Sequence, residues 1–163
     1  MQAMQYRTQI FGNAALTFHL MKGLDLKTQF GIDYHNNRDA NYTPFTPRPM
    51  INQSSEGAAS ANNSNSLYWQ EETYLTYVKD INKHHINAMA GMSWQEYNYT
   101  KFEASDSKYI DDFYGYYNLG SGTNRPSVGN DYDKWAMNSY FLRLAYSYDN
   151  KYMAIVTGRY DGS

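Results

Sequence analysis

The sequence predicts an all-β protein, an up-and-down antiparallel meander of about six strands. Hydrophobic and polar residues alternate with period two over most of the chain, so the two sets lie on opposite sides of a sheet. Short segments containing Gly, Asn or Asp join neighbouring strands, and these residues suit tight turns. The connections alternate between short turns and long segments rich in Ser, Asn, Gly and Asp. This order is typical of consecutive hairpins.

The first two predicted strands, residues 9–20 and 24–35, flank a turn at Met21-Lys22-Gly23. Glycine takes the positive φ that such turns require. One face of the second strand is mainly apolar, with Leu24, Leu26, Thr28, Phe30, Ile32 and Tyr34. The other face has Asp25, Lys27, Gln29, Gly31, Asp33 and His35. Because a slip by one residue would move every charge to the apolar side, the register of this strand is strongly specified.

Residues 40–66 are predicted to form a long loop. Pro44, Pro47 and Pro49 come first, and a tract of Ser, Asn, Ala and Gly follows. Proline cannot donate to a strand ladder, and the tract has little apolar surface to bury. Loops of this length are usually functional or disordered.

The third and fourth predicted strands, residues 67–79 and 84–103, meet at a turn around Asp80–Lys83. The third strand has a glutamate on each face, Glu71 and Glu72, so its apolar side stays unassigned. The fourth strand has a clear apolar face, with Ile86, Ala88, Ala90, Met92 and Trp94. A second long loop is predicted over residues 104–133, with a helical turn within Tyr109–Tyr117 as one possibility.

The last two predicted strands, residues 134–148 and 151–162, form a hairpin around Asp149-Asn150-Lys151. One face is apolar and edged with tyrosine, with Tyr140, Leu142, Leu144, Tyr148, Tyr152, Val156 and Tyr160. The opposite face includes Arg143, Arg159 and Asp161. The hairpin therefore has one apolar face and one charged face.

The length of the apolar faces matches the thickness of the apolar layer of a membrane. They run for about eight to ten residues, and a tilted strand gains roughly 2.5 Å of height per residue, which gives about 20–25 Å. That matches the apolar band of an outer-membrane barrel, which aromatic girdles border. The girdle residues would be Tyr34, Trp94, Tyr148, Tyr152 and Tyr160. A soluble antiparallel sheet with one buried face also alternates, so the pattern alone leaves both interpretations open.

The composition argues against several other classes of protein. The mean hydropathy is −0.77, and no apolar run approaches the roughly 20 residues of a membrane helix. The net charge of −2 and the lack of a basic stripe argue against nucleic-acid binding. The chain has no cysteine, so it has neither disulfides nor thiolate metal ligands.

No motif indicates an enzyme, a metal site or a cofactor. His84 and His85 are adjacent on a predicted strand, so they point to opposite faces and cannot both bind one ion. Glu71 and Glu72 fail as an acid–base pair for the same reason. The acidic residues near the second long loop do not have the spacing of a calcium loop. Phosphate-binding and nucleophile-elbow motifs are missing from the sequence.

The final hairpin resembles a known family. Phe141-x-Arg143-x-x-Tyr146-x-Tyr148-Asp149-x-Lys151-Tyr152, followed by Arg159-Tyr160-Asp161-Gly162-Ser163, is similar to a barrel hairpin of the SusC/RagA-like TonB-dependent outer-membrane transporters. The segments Gly23–Tyr34 and His85–Gly91 resemble the same family. In that family the Arg-x-Asp-Gly-Ser run usually continues into Ser-Arg-Phe, so the end at Ser163 suggests a piece of a longer protein.

The resemblance implies that this chain forms about six strands of a larger transmembrane β-barrel of about 22 strands, in the outer membrane of a Gram-negative bacterium. It implies active import of glycans, oligosaccharides or peptides, together with a SusD-like surface lipoprotein. Energy would come from the TonB complex through segments outside this chain, and lipid would surround the barrel. The alternative is a soluble all-β binding module, such as a glycan-binding sandwich or a lipocalin-like barrel.

The resemblance also suggests roles for two groups of residues. The first group would face the barrel lumen or hold the plug: Asp25, Lys27, Asp33, Arg143, Arg159 and Asp161. The second group, on the second long loop, would contact cargo or the lipoprotein: Tyr109, Phe113, Tyr114, Tyr116 and Tyr117. Aromatic rings supply large, stiff contact areas with a polar tip. The second group could equally form the loop's own small core.

Overall fold

A computed structural model describes residues 2–46 and 55–163 and contains six strands. They are β1 (Gln2–Met21), β2 (Leu24–Thr46), β3 (Ser55–Ile81), β4 (His84–Ser107), β5 (Ser127–Tyr148) and β6 (Tyr152–Gly162). Each strand pairs with its neighbour in the chain, in the order β1-β2-β3-β4-β5-β6. The predicted all-β antiparallel meander is therefore confirmed. Within the described ranges, no helix has the length and apolar character needed to cross a bilayer.

The long strands contribute to two compact units. The first unit comprises Met1–Ile10, Tyr34–Ser66 and Asn98–Asp133. The second unit comprises Phe11–Asp33, Leu67–Tyr97 and Lys134–Ser163. The first unit contains two single-turn 3-10 segments between β4 and β5, Gly115–Tyr117 and Leu119–Ser121. The second unit contains the three tight turns.

The tight turns lie where the sequence places them, and their backbone explains the residues found there. Gly23 has a φ of 81°, and a Cβ at this position would lie 2.1 Å from the Val78 carbonyl oxygen. Only glycine fits that approach. Asp149 and Asn150 have φ values of 51° and 54°, a conformation that Asp and Asn tolerate better than most residues.

The pairing of β5 with β6 confirms the predicted faces of the final hairpin. Tyr148 is opposite Tyr152, Leu144 is opposite Val156, and Tyr140 is opposite Tyr160. These pairs form an apolar face. On the reverse, which we call the charged face, Phe141 is opposite Arg159 and Ser139 is opposite Asp161.

The prediction of a loop over residues 40–66 is wrong for much of that range. Strand β2 continues to Thr46 and β3 begins at Ser55, while Pro47 and Pro49 lie outside the described residues. Polar side chains pair across these strands: the Tyr34 hydroxyl lies 3.3 Å from Asn65 Oδ1, and Asn36 Nδ2 lies 3.2 Å from Asn63 Oδ1. Polar side chains that hydrogen-bond across the strands leave no apolar alternation, so the hydrophobic pattern does not reveal the pairing here.

Three other strands are also longer than predicted. Strand β1 begins at Gln2 rather than at residue 9, β4 continues to Ser107, and β5 begins at Ser127 rather than at residue 134. The predicted loop over 104–133 is therefore reduced to residues 108–126. The 3-10 segment Gly115–Tyr117 lies within Tyr109–Tyr117, where the sequence allows a helical turn.

Contacts with β2 identify the apolar side of β3, which the sequence left open. The Trp69 ring stacks on Phe30 with centroids 6.2 Å apart, so the odd-numbered residues of β3 share the apolar face. Glu71 is therefore on that face, where its Oε1 accepts a hydrogen bond from Thr28 Oγ1 at 3.0 Å. Glu72 is on the reverse and accepts from Gln29 Nε2 at 3.0 Å.

Candidate functional site

The apolar face of the second unit is uncovered within the described part of the chain. Leu142 is 57% exposed and Val156 is 67% exposed. Phe30 is also exposed, whereas Leu24 and Ile32 are half-buried. These residues do not form a shared dry interior, as a two-layer soluble sheet would require. An uncovered apolar surface of this kind marks contact with lipid or another protein.

Tyrosine borders the apolar face of the β5–β6 hairpin at both ends. Tyr148 and Tyr152 pair beside the turn, and the His84 ring lies 5.0 Å from the Tyr148 ring. Tyr140 and Tyr160 pair eight residues further along each strand. Tyrosine is enriched at membrane–water boundaries. The aromatic girdle, including Tyr34 and Trp94, remains a prediction that this placement supports.

On the charged side of the second unit, most of the residues predicted to face the lumen contact other side chains of the same unit. Asp25 Oδ1 accepts a hydrogen bond from His19 Nδ1 at 2.7 Å, and Lys27 Nζ lies 5.8 Å from the centroid of the Tyr74 ring. Arg159 Nε donates to Asp161 Oδ1 at 2.7 Å, and Arg159 Nη2 donates to Ser139 Oγ at 3.1 Å. Asp33 lies on the same face of β2. These contacts fix most of the side chains that line this face.

The segment between β4 and β5, residues 108–126, packs against the β2 and β3 segments of its own first unit, and we call it the cap. Tyr109 is 3% exposed and packs edge-on against Tyr42, which is 2% exposed, with centroids 5.7 Å apart. Ala59, Tyr116 and Leu119 complete this small core. The Tyr109 hydroxyl donates to the Leu119 carbonyl at 3.1 Å. The cap therefore has its own packed interior.

Asp112 ties the cap to strand β2. Its Oδ1 accepts hydrogen bonds from the Tyr42 hydroxyl and from the Phe45 amide, the latter at 2.9 Å. These two bonds lower the pKa of Asp112 below its usual value, the Tyr42 bond more than the Phe45 bond. Burial, and then the bond to Asp112, raise the pKa of Tyr42. The pair is thus a charge-assisted hydrogen bond, which is stronger than a neutral one.

The five loop aromatics predicted to contact cargo or a partner divide into two groups. Tyr109 is buried and Tyr116 packs against the same core, which supports the alternative that these rings form the loop's own interior. Phe113 is 84% exposed, and Tyr114 and Tyr117 are also exposed. Only these three present their rings to solvent, and their role in binding remains a prediction. The sequence pattern does not identify Tyr42, because it predicts a loop over residues 40–66.

A polar trough lies on the other face of the first unit. Two adjoining cavities of about 350 and 320 Å³ share Asn41, Ser60, Ser105 and Ser127 in their walls. Asn41 and Thr43 flank Tyr42 along β2, so they point away from the cap core. Asp39 lines the first cavity and Arg125 lines the second. The hydrophobic pattern does not reveal this trough, because it predicts a loop over residues 40–66.

The histidine pair separates as predicted from strand geometry. His84 Nδ1 lies 2.7 Å from the Tyr146 hydroxyl, whereas His85 contacts Asp80. Across residues 2–46 and 55–163, no group of three His, Cys, Asp or Glu side chains is close enough to hold a metal ion. The acidic residues near the cap are also separate: Asp111 accepts from the Phe113 amide and Asp106 from the Ser107 amide.

We expect Asp112→Asn to loosen the cap at neutral pH. Because the pKa of Asp112 is lowered in the folded chain, its stabilising effect is present above the ordinary carboxyl pKa of about 3.9 and is lost as pH falls through the lowered value. Amide hydrogen exchange over residues 106–124, corrected for intrinsic rates, should become several-fold faster in the variant at pH 7. The wild type should show the same loosening only in acid.

Asp111→Asn is the matched control, because within the described residues the Asp111 carboxylate accepts a hydrogen bond only from the nearby Phe113 amide, at 3.0 Å. Its exchange should stay close to that of the wild type. Equal loosening in the two variants would mean that general loss of negative charge, rather than the bonds to Tyr42 and Phe45, controls the cap.

No family model matches the chain. Comparison with individual proteins does find similar sequences. The chain is 26% identical over 160 residues to TonB-dependent receptor P26 of Formosa agariphila, covering 97% of this chain and 16% of that protein. It is 27% identical over 161 residues to TonB-dependent receptor P39 of the same organism, covering 98% of this chain and 15% of that protein.

Solved structures show the same fold. The chain matches a structure of the RagAB peptide transporter with a TM-score of 0.85 at 22% identity, covering 98% of this chain and 18% of that chain. It matches the 'closed-closed' state of the RagAB peptide importer with a TM-score of 0.87, covering the same shares.

These findings confirm the resemblance to SusC/RagA-like TonB-dependent transporters: the chain is similar in sequence to part of two TonB-dependent receptors and in fold to part of a RagAB transporter. This chain covers 16% and 15% of the lengths of the two receptors, about one sixth of each. Those relatives are named as receptors, and none has the name of an enzyme.

Proposed function

We propose that this chain forms part of the β-barrel of a TonB-dependent importer in the outer membrane of a Gram-negative bacterium. The observation that carries the proposal is the uncovered apolar face of the β5–β6 hairpin, bordered by Tyr148–Tyr152 and Tyr140–Tyr160. Eight residues separate the two tyrosine pairs, so the band between them is about 20 Å high at the tilt of a barrel strand. A closed barrel of about 22 strands would satisfy the sheet edges in lipid.

We infer that the complete protein imports polar cargo: glycans, oligosaccharides or peptides. The related receptors are named for TonB dependence, and the similar structures are named as peptide transporters. A SusD-like surface lipoprotein is the proposed partner, and Phe113, Tyr114 and Tyr117 of the cap are its candidate contacts because their rings are exposed. Contact with TonB would involve segments other than this chain.

The charged face has a proposed role in holding a plug within the barrel. Arg143 is exposed and makes no hydrogen bond or ion pair within the described residues, so its guanidinium is available to a carboxylate of another segment. Arg159 and Asp161 already bind each other, and together they present a polar, hydrated wall. Arg143 is therefore the strongest candidate of the group for a plug contact.

Uptake in cells tests the proposal. A bacterium that expresses a transporter containing this chain should accumulate labelled oligosaccharides or peptides, and deletion of TonB or a proton uncoupler should abolish that accumulation. The purified transporter should require detergent or lipid to stay in solution. A monomeric chain that stays folded in buffer without detergent would instead support the soluble binding module.

A further inference from the structure

The three tight turns of the second unit carry an excess of positive charge. We call these residues, 21–23, 79–83 and 149–151, the turn end. Its charged side chains are four lysines and two aspartates: Lys22, Lys79, Lys83, Lys151, Asp80 and Asp149. Lys22 and Lys79 are exposed and make no ion pair in the part of the chain that the structure describes. The ammonium groups of the turn end therefore outnumber its carboxylates.

Two lysines of the turn end share one carboxylate. Asp149 Oδ1 lies 3.5 Å from Lys83 Nζ, and Asp149 Oδ2 lies 3.3 Å from Lys151 Nζ. The Asp149 amide also donates to the Lys83 carbonyl at 2.8 Å, so a backbone hydrogen bond joins the two turns. One carboxylate neutralises only one of the two ammonium groups, and each ammonium has three N–H donors. This cluster, which we call the lysine pair, therefore keeps a positive charge and unused donors.

Aromatic rings of the apolar face lie directly beside the lysine pair. Tyr148 and Tyr152 pair across the turn that contains Asp149. His84 follows Lys83 in the chain, and its ring lies 5.0 Å from the Tyr148 ring. Amphipathic rings are enriched where a membrane meets water, because the ring contacts acyl chains while the polar tip stays hydrated. The positive charge is thus located at the border of the apolar face.

We propose that the lysine pair binds the phosphate of an anionic phospholipid, such as phosphatidylglycerol, whose acyl chain lies along the apolar face of the β5–β6 hairpin. The phosphate oxygens accept hydrogen bonds from Lys83 Nζ and Lys151 Nζ. Leu144 and Val156, which are paired and exposed beyond the two tyrosines, contact the acyl chain. Short turns of outer-membrane barrels face the periplasm, so the lipid belongs to the inner leaflet. This inference rests on the proposed function and names a lipid partner for the same face.

The charge balance of the turn end favours an anionic headgroup over a zwitterionic one. Phosphatidylcholine has the same phosphate, but its ammonium group is repelled by the other lysines of the turn end, Lys22 and Lys79. Phosphatidylglycerol has no such group. A lysine near an anionic lipid surface strengthens binding about fivefold. The inference therefore predicts lipid selectivity rather than general adhesion to a bilayer.

Lipid binding to the intact transporter tests the inference. A transporter that contains this chain would be purified in detergent, stripped of lipid and titrated, with native mass spectrometry measuring the affinity for each added lipid. The two lipids are dioleoylphosphatidylglycerol and dioleoylphosphatidylcholine, which share acyl chains and phosphate. Phosphatidylglycerol should bind about fivefold more tightly than phosphatidylcholine. Inorganic phosphate, at an ionic strength matched with chloride, should not displace it.

Three substitutions change the lysine pair in opposite directions. Lys83→Gln and Lys151→Gln should each weaken phosphatidylglycerol binding about fivefold. Asp149→Asn should instead strengthen it, because both ammonium groups lose their neutralising carboxylate. Asn tolerates the φ of 51° at this position, so the turn is kept. Lys108→Gln is the matched control, because Lys108 is an exposed lysine of the first unit, outside the turn end.

Four results would overturn the inference: equal binding of the two lipids, unchanged binding in the lysine variants, no strengthening by Asp149→Asn, or an equal loss in Lys108→Gln. Displacement by inorganic phosphate would also overturn it, because the site would then bind a free anion. Uptake measurements separate these failures from failure of the proposed function. If TonB-dependent accumulation of cargo persists while the lysine variants bind phosphatidylglycerol normally, the lipid assignment fails and the importer remains.

Discussion

Val156→Lys is expected to prevent or strongly weaken folding of a barrel that contains this chain. Val156 lies midway between Tyr152 and Tyr160 on the uncovered apolar face of β6. A lysine at the middle of the lipid face of a barrel costs about 2–4 kcal/mol. Urea titration of the transporter in lipid vesicles should show this loss in the free energy of unfolding.

Thr157→Lys is the matched control, one residue further along the same strand. Thr157 pairs with Arg143 on the charged face, where a lysine stays hydrated. Its effect should be within about 0.5 kcal/mol, as for an ordinary surface substitution. Equal effects of the two lysines, or a larger effect at residue 157, would show that the apolar face does not contact lipid.

Gly91→Ala should lower stability by about 1–3 kcal/mol, the usual cost of overpacking. A Cβ at Gly91 would lie 2.4 Å from Tyr74 Cβ, 2.6 Å from Phe141 Cζ and 2.7 Å from the Thr73 carbonyl oxygen. The backbone oxygen and the Cβ atom cannot move without shifting β3. The rings of Tyr74 and Phe141, 6.3 Å apart, approach each other over this glycine.

Gly158→Ala provides the comparison for Gly91→Ala, because a Cβ at Gly158 would meet nothing within 4 Å. It should leave stability unchanged or raise it slightly, since alanine has less freedom than glycine in the unfolded chain. The same urea titration checks both variants. A Gly91→Ala barrel as stable as the Gly158→Ala barrel would contradict the close packing of β3, β4 and β5.

The β5–β6 hairpin shows what the sequence can determine. Strict alternation on both sides of Asp149-Asn150-Lys151 sets the faces, and the turn sets the register, so the pairing of Leu144 with Val156 follows from residues close in the chain. The apolar side of β3 could not be found in this way. Its assignment depends on the stacking of Trp69 on Phe30, a contact with a strand distant in sequence.

The polar ends of β2 and β3 show where hydrophobic pattern fails. Asn36, Asn63 and Asn65 hydrogen-bond across the strands, and such pairs leave no apolar alternation to detect. The hydrophobic pattern therefore does not reveal the trough or the cap core, since both depend on these strand ends. Tyr109 is visible in the sequence as an aromatic residue, but its burial depends on Tyr42, which is 67 residues away along the chain.

The packed interior of the cap affects the kinetics of any encounter with another molecule. Phe113, Tyr114 and Tyr117 project from a scaffold that Tyr109 and Asp112 have already ordered. A partner that meets these rings needs to immobilise few rotatable bonds, so the entropic penalty of association is small. We therefore expect fast capture that needs no slow rearrangement of the cap, with differences among partners appearing chiefly in their dissociation rates.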